Sequence, residues 1–391
     1  MESYNELIKN KKIPQLFVFG MYRSGTTVIA RSLAGESKIA FASDPIRPFF
    51  NWYRTAIQKE ISVENFDNNL LPLGDYFKTE KNYIKKLIKS NFSENITSSE
   101  LTKLRNQIIK EGSPYSPKFI SNLKKKEKFV SSNFSDELKH YLSIIISTYG
   151  NKNSRLVGLK EVWSIEMALP ILNMIGNNAK ILVVFRDPLD IVSSSISGKS
   201  NYSILSLVRQ WRKQVVFYNF LKIRYPNQVD SINYEDFCSR PTFTLKKKLQ
   251  SLFNISEFSF SDDLRPLDDS GNFWMKNSSY NNEQVSSNID FKSVGKYKKV
   301  LNNSEIEWVN YLTHMSSYTK YNKTCDYPIK PKSFFPKRDI VNVADWAKLE
   351  ILKLEKFNLE EELKNEHKRV EMMLSSIKNK KSDINYLTNQ I

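Results

Sequence analysis

One stretch of this chain has the residue types and spacing to hold a phosphate-like anion. It reads Gly20-Met21-Tyr22-Arg23-Ser24-Gly25-Thr26-Thr27, with an apolar run at 15–19 before it and a helical segment at 28–33 after it. Strand, glycine-containing loop and helix start together present backbone N–H groups and the positive end of a helix dipole to an anion. Gly20 and Gly25 keep the G-x4-G spacing of a nucleoside-triphosphate loop, but Thr26 stands where such a loop has its lysine. The cation is instead Arg23, inside the loop. The cradle is kept; the equipment for splitting a triphosphate is not.

The elements that must carry this loop alternate in a recognisable way. Short apolar runs at 15–19, 38–41, 155–159, 180–185 and 229–233 recur between longer helical stretches. Such runs suit strands covered on both faces, and strand–helix alternation predicts an α/β fold with a parallel sheet flanked by helices, like that of P-loop proteins. Arg23, Asp44, Lys160 with Glu161, Arg186 and Tyr234 each fall at or just past the C-terminal end of one of these runs. Open α/β sheets bind ligands along that edge.

Outside the alternating part, residues 55–150 read as a Lys- and Asn-rich helical insertion between two strands. Residues 328–340, with closely spaced prolines, read as a linker after a domain spanning 1–327. With Leu349 at heptad position a, ten of the thirteen a and d positions up to Ile391 are apolar, the exceptions being Lys356, Glu366 and Lys380. That repeat predicts a C-terminal coiled-coil helix over 341–391 and a homo-oligomer.

The formal charge of +17 attracts anions without choosing among nucleotides, nucleic acid, acidic lipid and acidic glycans. Two isolated cysteines and three histidines, without metal-ligand spacing, speak against a zinc site or a disulfide framework. No apolar run approaches the ~20 residues that span a bilayer, and the first residues lack a secretory pattern, so a cytoplasmic location is expected.

Tyr22-Arg23-Ser24-Gly25-Thr26-Thr27 resembles the 5′-phosphosulfate-binding loop of sulfotransferases that use 3′-phosphoadenylyl sulfate (PAPS). The resemblance implies that Arg23 holds the 5′-phosphate and the bridging oxygen, with Ser24, Gly25, Thr26 and Thr27 supplying hydrogen bonds. It extends to Arg186 at a strand end with Ser194 eight positions on, the superfamily's 3′-phosphate site. A planar guanidinium suits bidentate contact with a terminal phosphate. Tyr234-Glu235-Asp236 resembles a motif whose tyrosine lies near the adenine. The run Ser293-Val294-Gly295-Lys296-Tyr297 resembles the loop that closes over the nucleotide, where Gly295 and Lys296, or Lys292, have a role.

The small-molecule branch of that superfamily has a histidine near the third strand end, and Gly158-Leu159-Lys160-Glu161-Val162-Trp163 has none. The branches with a carboxylate base, acting on protein tyrosine or glycans, place an acid about twenty residues past the loop. Asp44 stands 21 residues beyond Arg23; Glu161 is the alternative, and Lys160 joins the catalytic set. The implied reaction is sulfuryl transfer to a hydroxyl or amine, with phosphoadenosine phosphate (PAP) as product and no metal. A carbohydrate acceptor is the expectation. The aromatics in 48–54 either offer faces to a sugar or form the packed side of a helix, and Lys124-Lys125-Lys126 either steers an acidic polysaccharide or is a solvated helix surface.

Two other classes remain. A P-loop nucleotide kinase would need a lysine at position 26 and an acid supporting magnesium. A non-enzymatic basic scaffold would rest on charge alone, since nothing here resembles a nucleic-acid recognition module.

Overall fold

The structure is a computed structural model that describes residues 13–61, 81–198, 200–254, 258, 260–274, 289, 291–314, 330–343 and 348. The heptad repeat over 349–391 lies outside these residues, as do 62–80 of the insertion and positions 328 and 329 of the linker.

Five parallel strands form one sheet: β1 (Gln15–Gly20), β2 (Ile39–Ser43), β3 (Leu156–Val162), β4 (Ala179–Phe185) and β5 (Val229–Asn233). They coincide with the five apolar runs, in the spatial order β2-β3-β1-β4-β5. Side chains alternate across the pleat. Leu16 and Val18 of β1 enter one apolar cluster, whereas Phe17 and Phe19 enter the other. Because both faces are covered, the central strand reads as an unbroken apolar run. Edge strand β5 is mixed, with Asp230 and Ser231 half-buried.

The described helices follow the chain. α1 (Thr26–Ala34) joins β1 to β2 and packs on the Leu16–Val18 face. Between β2 and β3 come α2 (Arg47–Ile61), α3 (Lys81–Lys89), α4 (Ser98–Gly112), α5 (Pro117–Lys125) and α6 (Phe134–Tyr149). α6 on one side and α1 on the other cover β2, which explains why that edge strand is buried along its length. Phe49 and Phe50 of α2 are fully buried, and the Phe49 ring meets Phe92, Phe134 and Tyr141 at 5.5–5.7 Å. Of the two readings of this segment, the packed one holds. Phe49, Phe50 and Tyr53 present no face to a sugar.

α7 (Ala168–Ile175) leads from β3 to β4, and α8 (Pro188–Ile196) and α9 (Ile204–Arg224) lie between β4 and β5. α10 (Tyr234–Ser239), α11 (Pro241–Phe253), α12 (Tyr297–Val300) and α13 (Asn303–His314) follow. Residues 330–343 then run back across α13 and pair with residue 201. The chain passes from β1 beyond β3 to β2, and later from β3 beyond β1 to β4. The loop after β1 therefore opens where the connections diverge, the place where such sheets form a binding crevice. Among the described residues, no helix is long and apolar enough to cross a membrane.

Candidate active site

The loop after β1 is built to bring backbone close to something small. A Cβ on Gly20 would overlap the Thr26 methyl and sit 2.8 Å from Ser24 Oγ. Gly25, at φ 86°, caps α1 in the left-handed region, and a Cβ there would overlap the Tyr234 ring. Ser24 Oγ donates to the Met21 carbonyl at 2.8 Å and closes the turn. The first N–H groups of α1 thus face the sheet's C-terminal edge, without any acidic residue in the first turn to neutralise them.

Three non-glycine residues adopt left-handed backbone at successive strand ends: Arg23 (φ 67°) after β1, Asp44 (φ 53°) after β2 and Trp163 (φ 67°) after β3. Each such residue costs about 1–3 kcal/mol, and strain of this kind concentrates at functional sites.

Arg186, just past β4, is buried and reaches across to the β1 loop. Its Nη1 donates to the Arg23 carbonyl at 3.0 Å and its Nη2 to the Ser293 carbonyl at 2.6 Å. Its guanidinium lies over the Tyr234 ring, 4.6 Å from the centroid, and the Tyr234 hydroxyl pairs with Ser293 Oγ at 2.7 Å. The late loop is anchored a second time by Asp190 of α8, whose carboxylate accepts from Gly295 N at 2.7 Å and Tyr297 N at 3.1 Å. Asp187 caps α8 through Leu189 N, and burial pushes its carboxyl up to about 6, with the nearby Asp190 and Glu235 charges adding.

Across the crevice, Lys160 of β3 is almost completely buried. Its ammonium pairs with Asp44 Oδ2 and donates to Thr27 Oγ1 at 3.2 Å, tying the strand-end acid to the cradle. Asp44 Oδ1 is buried without a hydrogen-bond partner. Next to Lys160, but on the opposite sheet face, Glu161 is fully buried and its Oε1 accepts from Ile46 N at 2.7 Å. Burial holds the Glu161 carboxyl well above its usual range, the Asp44 charge adds, and the Ile46 N–H opposes.

The fold brings Arg23, Ser24, Gly25, Thr26, Thr27, Asp44, Lys160, Glu161, Arg186 and Tyr234 to one sheet edge. Ser194 lies buried in α8, with its carbonyl beside Gly198, and the Arg23 guanidinium occupies the space a Cβ on Gly198 would need. Gly295 is held by Asp190, Lys296 follows it half-buried, and Lys292 is exposed. Sequence reasoning missed Asp190 and Gly198. Asp190 sits in the first turn of a helix, where an acid is common, and Gly198 sits in an unremarkable Ser-Gly-Lys turn. It also missed an aromatic wall: Tyr22 stacks on Trp163 at 5.8 Å and meets Tyr202 at 4.9 Å. Among the described residues, no group of three His, Cys, Asp or Glu side chains could hold a metal ion.

The sequence profile described as "Sulfotransferase family" matches residues 14–252. No curated protein matches the chain. Among solved structures it is similar to the sulfotransferase domain from the curacin biosynthetic pathway (16% identity, TM-score 0.42, covering 75% of this chain and 95% of that one). It is also similar to the sulfotransferase domain from the Synechococcus PCC 7002 olefin synthase, at 13% identity and TM-score 0.38, covering 78% of this chain and 95% of that one. Sulfotransferase STF9 from Mycobacterium avium is 15% identical with a TM-score of 0.31, over 63% of this chain and 67% of that one.

Proposed function

Since the chain belongs to the sulfotransferase family, we propose that its strand-end crevice moves a sulfuryl group from PAPS to an acceptor hydroxyl, with Asp44 receiving the acceptor's proton. The observation that carries this reading is the joining of two cationic elements at one edge: the Arg186 guanidinium is hydrogen-bonded to the very loop that bears Arg23. PAPS supplies a sulfuryl group on a mixed anhydride, with PAP as the leaving group. The residues fit it on structural grounds, because Gly20 and Gly25 keep open a cradle that any Cβ would fill and α1 points bare N–H groups into it.

In this reading Arg23 and the N–H groups of 24–27 bind the 5′-phosphosulfate end, and Arg186 with Ser194 binds the 3′-phosphate. Gly295 and Lys296 belong to the cover held by Asp190, and Tyr234 props Arg186 from below. To Lys160, fixed between Thr27 and Asp44, we assign the stabilisation of negative charge that develops on the transferring group. Preformed positive charge and positioning supply most of the acceleration expected of such a site. Asp44 Oδ1, buried and unpartnered, is the atom that takes the proton. The acceptor we assign to hydroxyl compounds, with carbohydrates first in line. Binding of PAP, followed by labelled-sulfate transfer from PAPS onto a panel of glycans and phenols, tests the reading; a purified chain that neither binds PAP nor transfers label would sink it.

A further inference from the structure

The segment 330–343 lies outside the matched residues 14–252, yet it runs against the site. Its first half is fastened to α13: Trp308 Nε1 donates to the Ser333 carbonyl at 3.2 Å, the Phe335 ring packs on Trp308 at 5.3 Å, and Arg338 forms a two-point ion pair with the buried Glu305. Its second half pairs with the loop after α8. Asn201 N donates to the Val341 carbonyl at 2.9 Å and Val341 N returns a bond to the Asn201 carbonyl at 3.2 Å. Ser200 Oγ donates to the Asn342 carbonyl, and Asn201 Nδ2 to the Asp339 carbonyl, each at 2.8 Å.

The loop so held is the one that backs Arg23. The Arg23 guanidinium lies in the space beside Gly198, the Tyr22 hydroxyl donates to the Ser200 carbonyl at 3.3 Å, and the Tyr202 ring closes on Tyr22 and Trp163. Ser195 Oγ ties the turn internally by accepting from Tyr202 N at 3.1 Å. Arg23 in turn lies over the Tyr22 ring, 4.6 Å from its centroid.

We infer that residues 330–343 form a positioning strap, which fixes residues 200–202 and through them sets Arg23 and Tyr22 for the donor; the inference takes its kinetic consequence from the function proposed above. The strap acts through the wall behind Arg23.

The test is Val341→Pro in the full chain, which removes the Val341 N–H donor, beside Val341→Ala, which keeps it. Amide exchange should rise in V341P at 200–203 and also at 22–27, and stay as in wild type for V341A; unchanged exchange at 22–27 in V341P overturns the inference whether or not the chain transfers sulfuryl groups. In turnover, V341P should lower kcat/KM for the donor about tenfold, as small displacements of a positioned group do. That loss should vanish in an Arg23→Ala background, because the two changes act through one group. A loss of equal size in both backgrounds marks a merely structural strap and overturns it too. Should V341P fail to fold, the double variant S200A/N201A, which removes only the bonds to Asn342 and Asp339, is put to the same exchange measurement with the same two outcomes. A wild-type chain that binds no PAP would refute the proposed function and leave the exchange result to decide the strap.

Discussion

Arg186 Nη1 donates to the backbone carbonyl of Arg23 at 3.0 Å, across 163 positions of sequence. The resemblance to PAPS-dependent sulfotransferases assigns the two arginines to opposite ends of one donor. The bond ties the C-terminal end of β4 to the backbone of the β1 loop.

Replacing Arg186 by Ala should weaken PAP binding by roughly 10–100-fold, the size of a lost charge-assisted bond. Arg186→Lys should recover little of it, since an ammonium cannot reach both the Arg23 and Ser293 carbonyls as a planar fork does. Calorimetric titration with PAP measures both. Normal affinity in R186A would remove this residue from the nucleotide site.

Asp44→Asn should lower turnover by about 10²-fold or more while PAP affinity stays near wild type. Glu161→Gln, an isosteric neutral partner for the Ile46 N–H, should keep most of the turnover, as burial pushes the Glu161 carboxyl up and its Oε1 is already committed to Ile46 N. The reverse ranking would transfer the role of base from Asp44 to Glu161.

Gly25→Ala should abolish nucleotide binding and lower stability by about 1–3 kcal/mol, because φ 86° is unfavourable for Ala and its methyl collides with the Tyr234 ring. Thermal melting with and without PAP separates the two losses. A folded G25A that still binds PAP would show that the loop does not approach the anion closely.

Asp187 gives a pH signature. Its carboxyl is pushed up to about 6 by burial, so in the folded state the ionised form is disfavoured relative to the unfolded chain. Stability from this group is fully present below the ordinary aspartate range and is lost as pH rises through about 6. Asp187→Asn keeps an oxygen for Leu189 N and cannot ionise. Its melting temperature should gain on wild type between pH 5 and pH 8, read by calorimetry; a difference independent of pH would contradict the assignment.

Much of the fold was legible because covered strands leave a signal that needs no partner to read. The five runs announced the sheet, and their ends named the edge where Arg23, Asp44, Lys160, Arg186 and Tyr234 gather. The run at 48–54 was ambiguous for a physical reason: aromatic side chains are equally good at filling a core and facing a ligand, and only the arrival of Phe92, Phe134 and Tyr141 decides between them. Asp190 and Gly198 stayed hidden because their roles are made by distant chain, Gly295 and Arg23 respectively. The docking of 330–343 was equally unreadable. A proline-spaced segment looks like a spacer until its backbone finds Asn201.

The left-handed residues at the ends of β1, β2 and β3 set a limit on how this protein can be improved. Glycine would relieve the backbone at all three places, yet the relief is smaller than what two of them would lose. At Asp44 it would strip the buried Lys160 ammonium of its partner, and at Trp163 it would empty the space of a ring packed on Tyr22 and Tyr202. Heat tolerance and turnover therefore lean on the same side chains at this edge of the sheet.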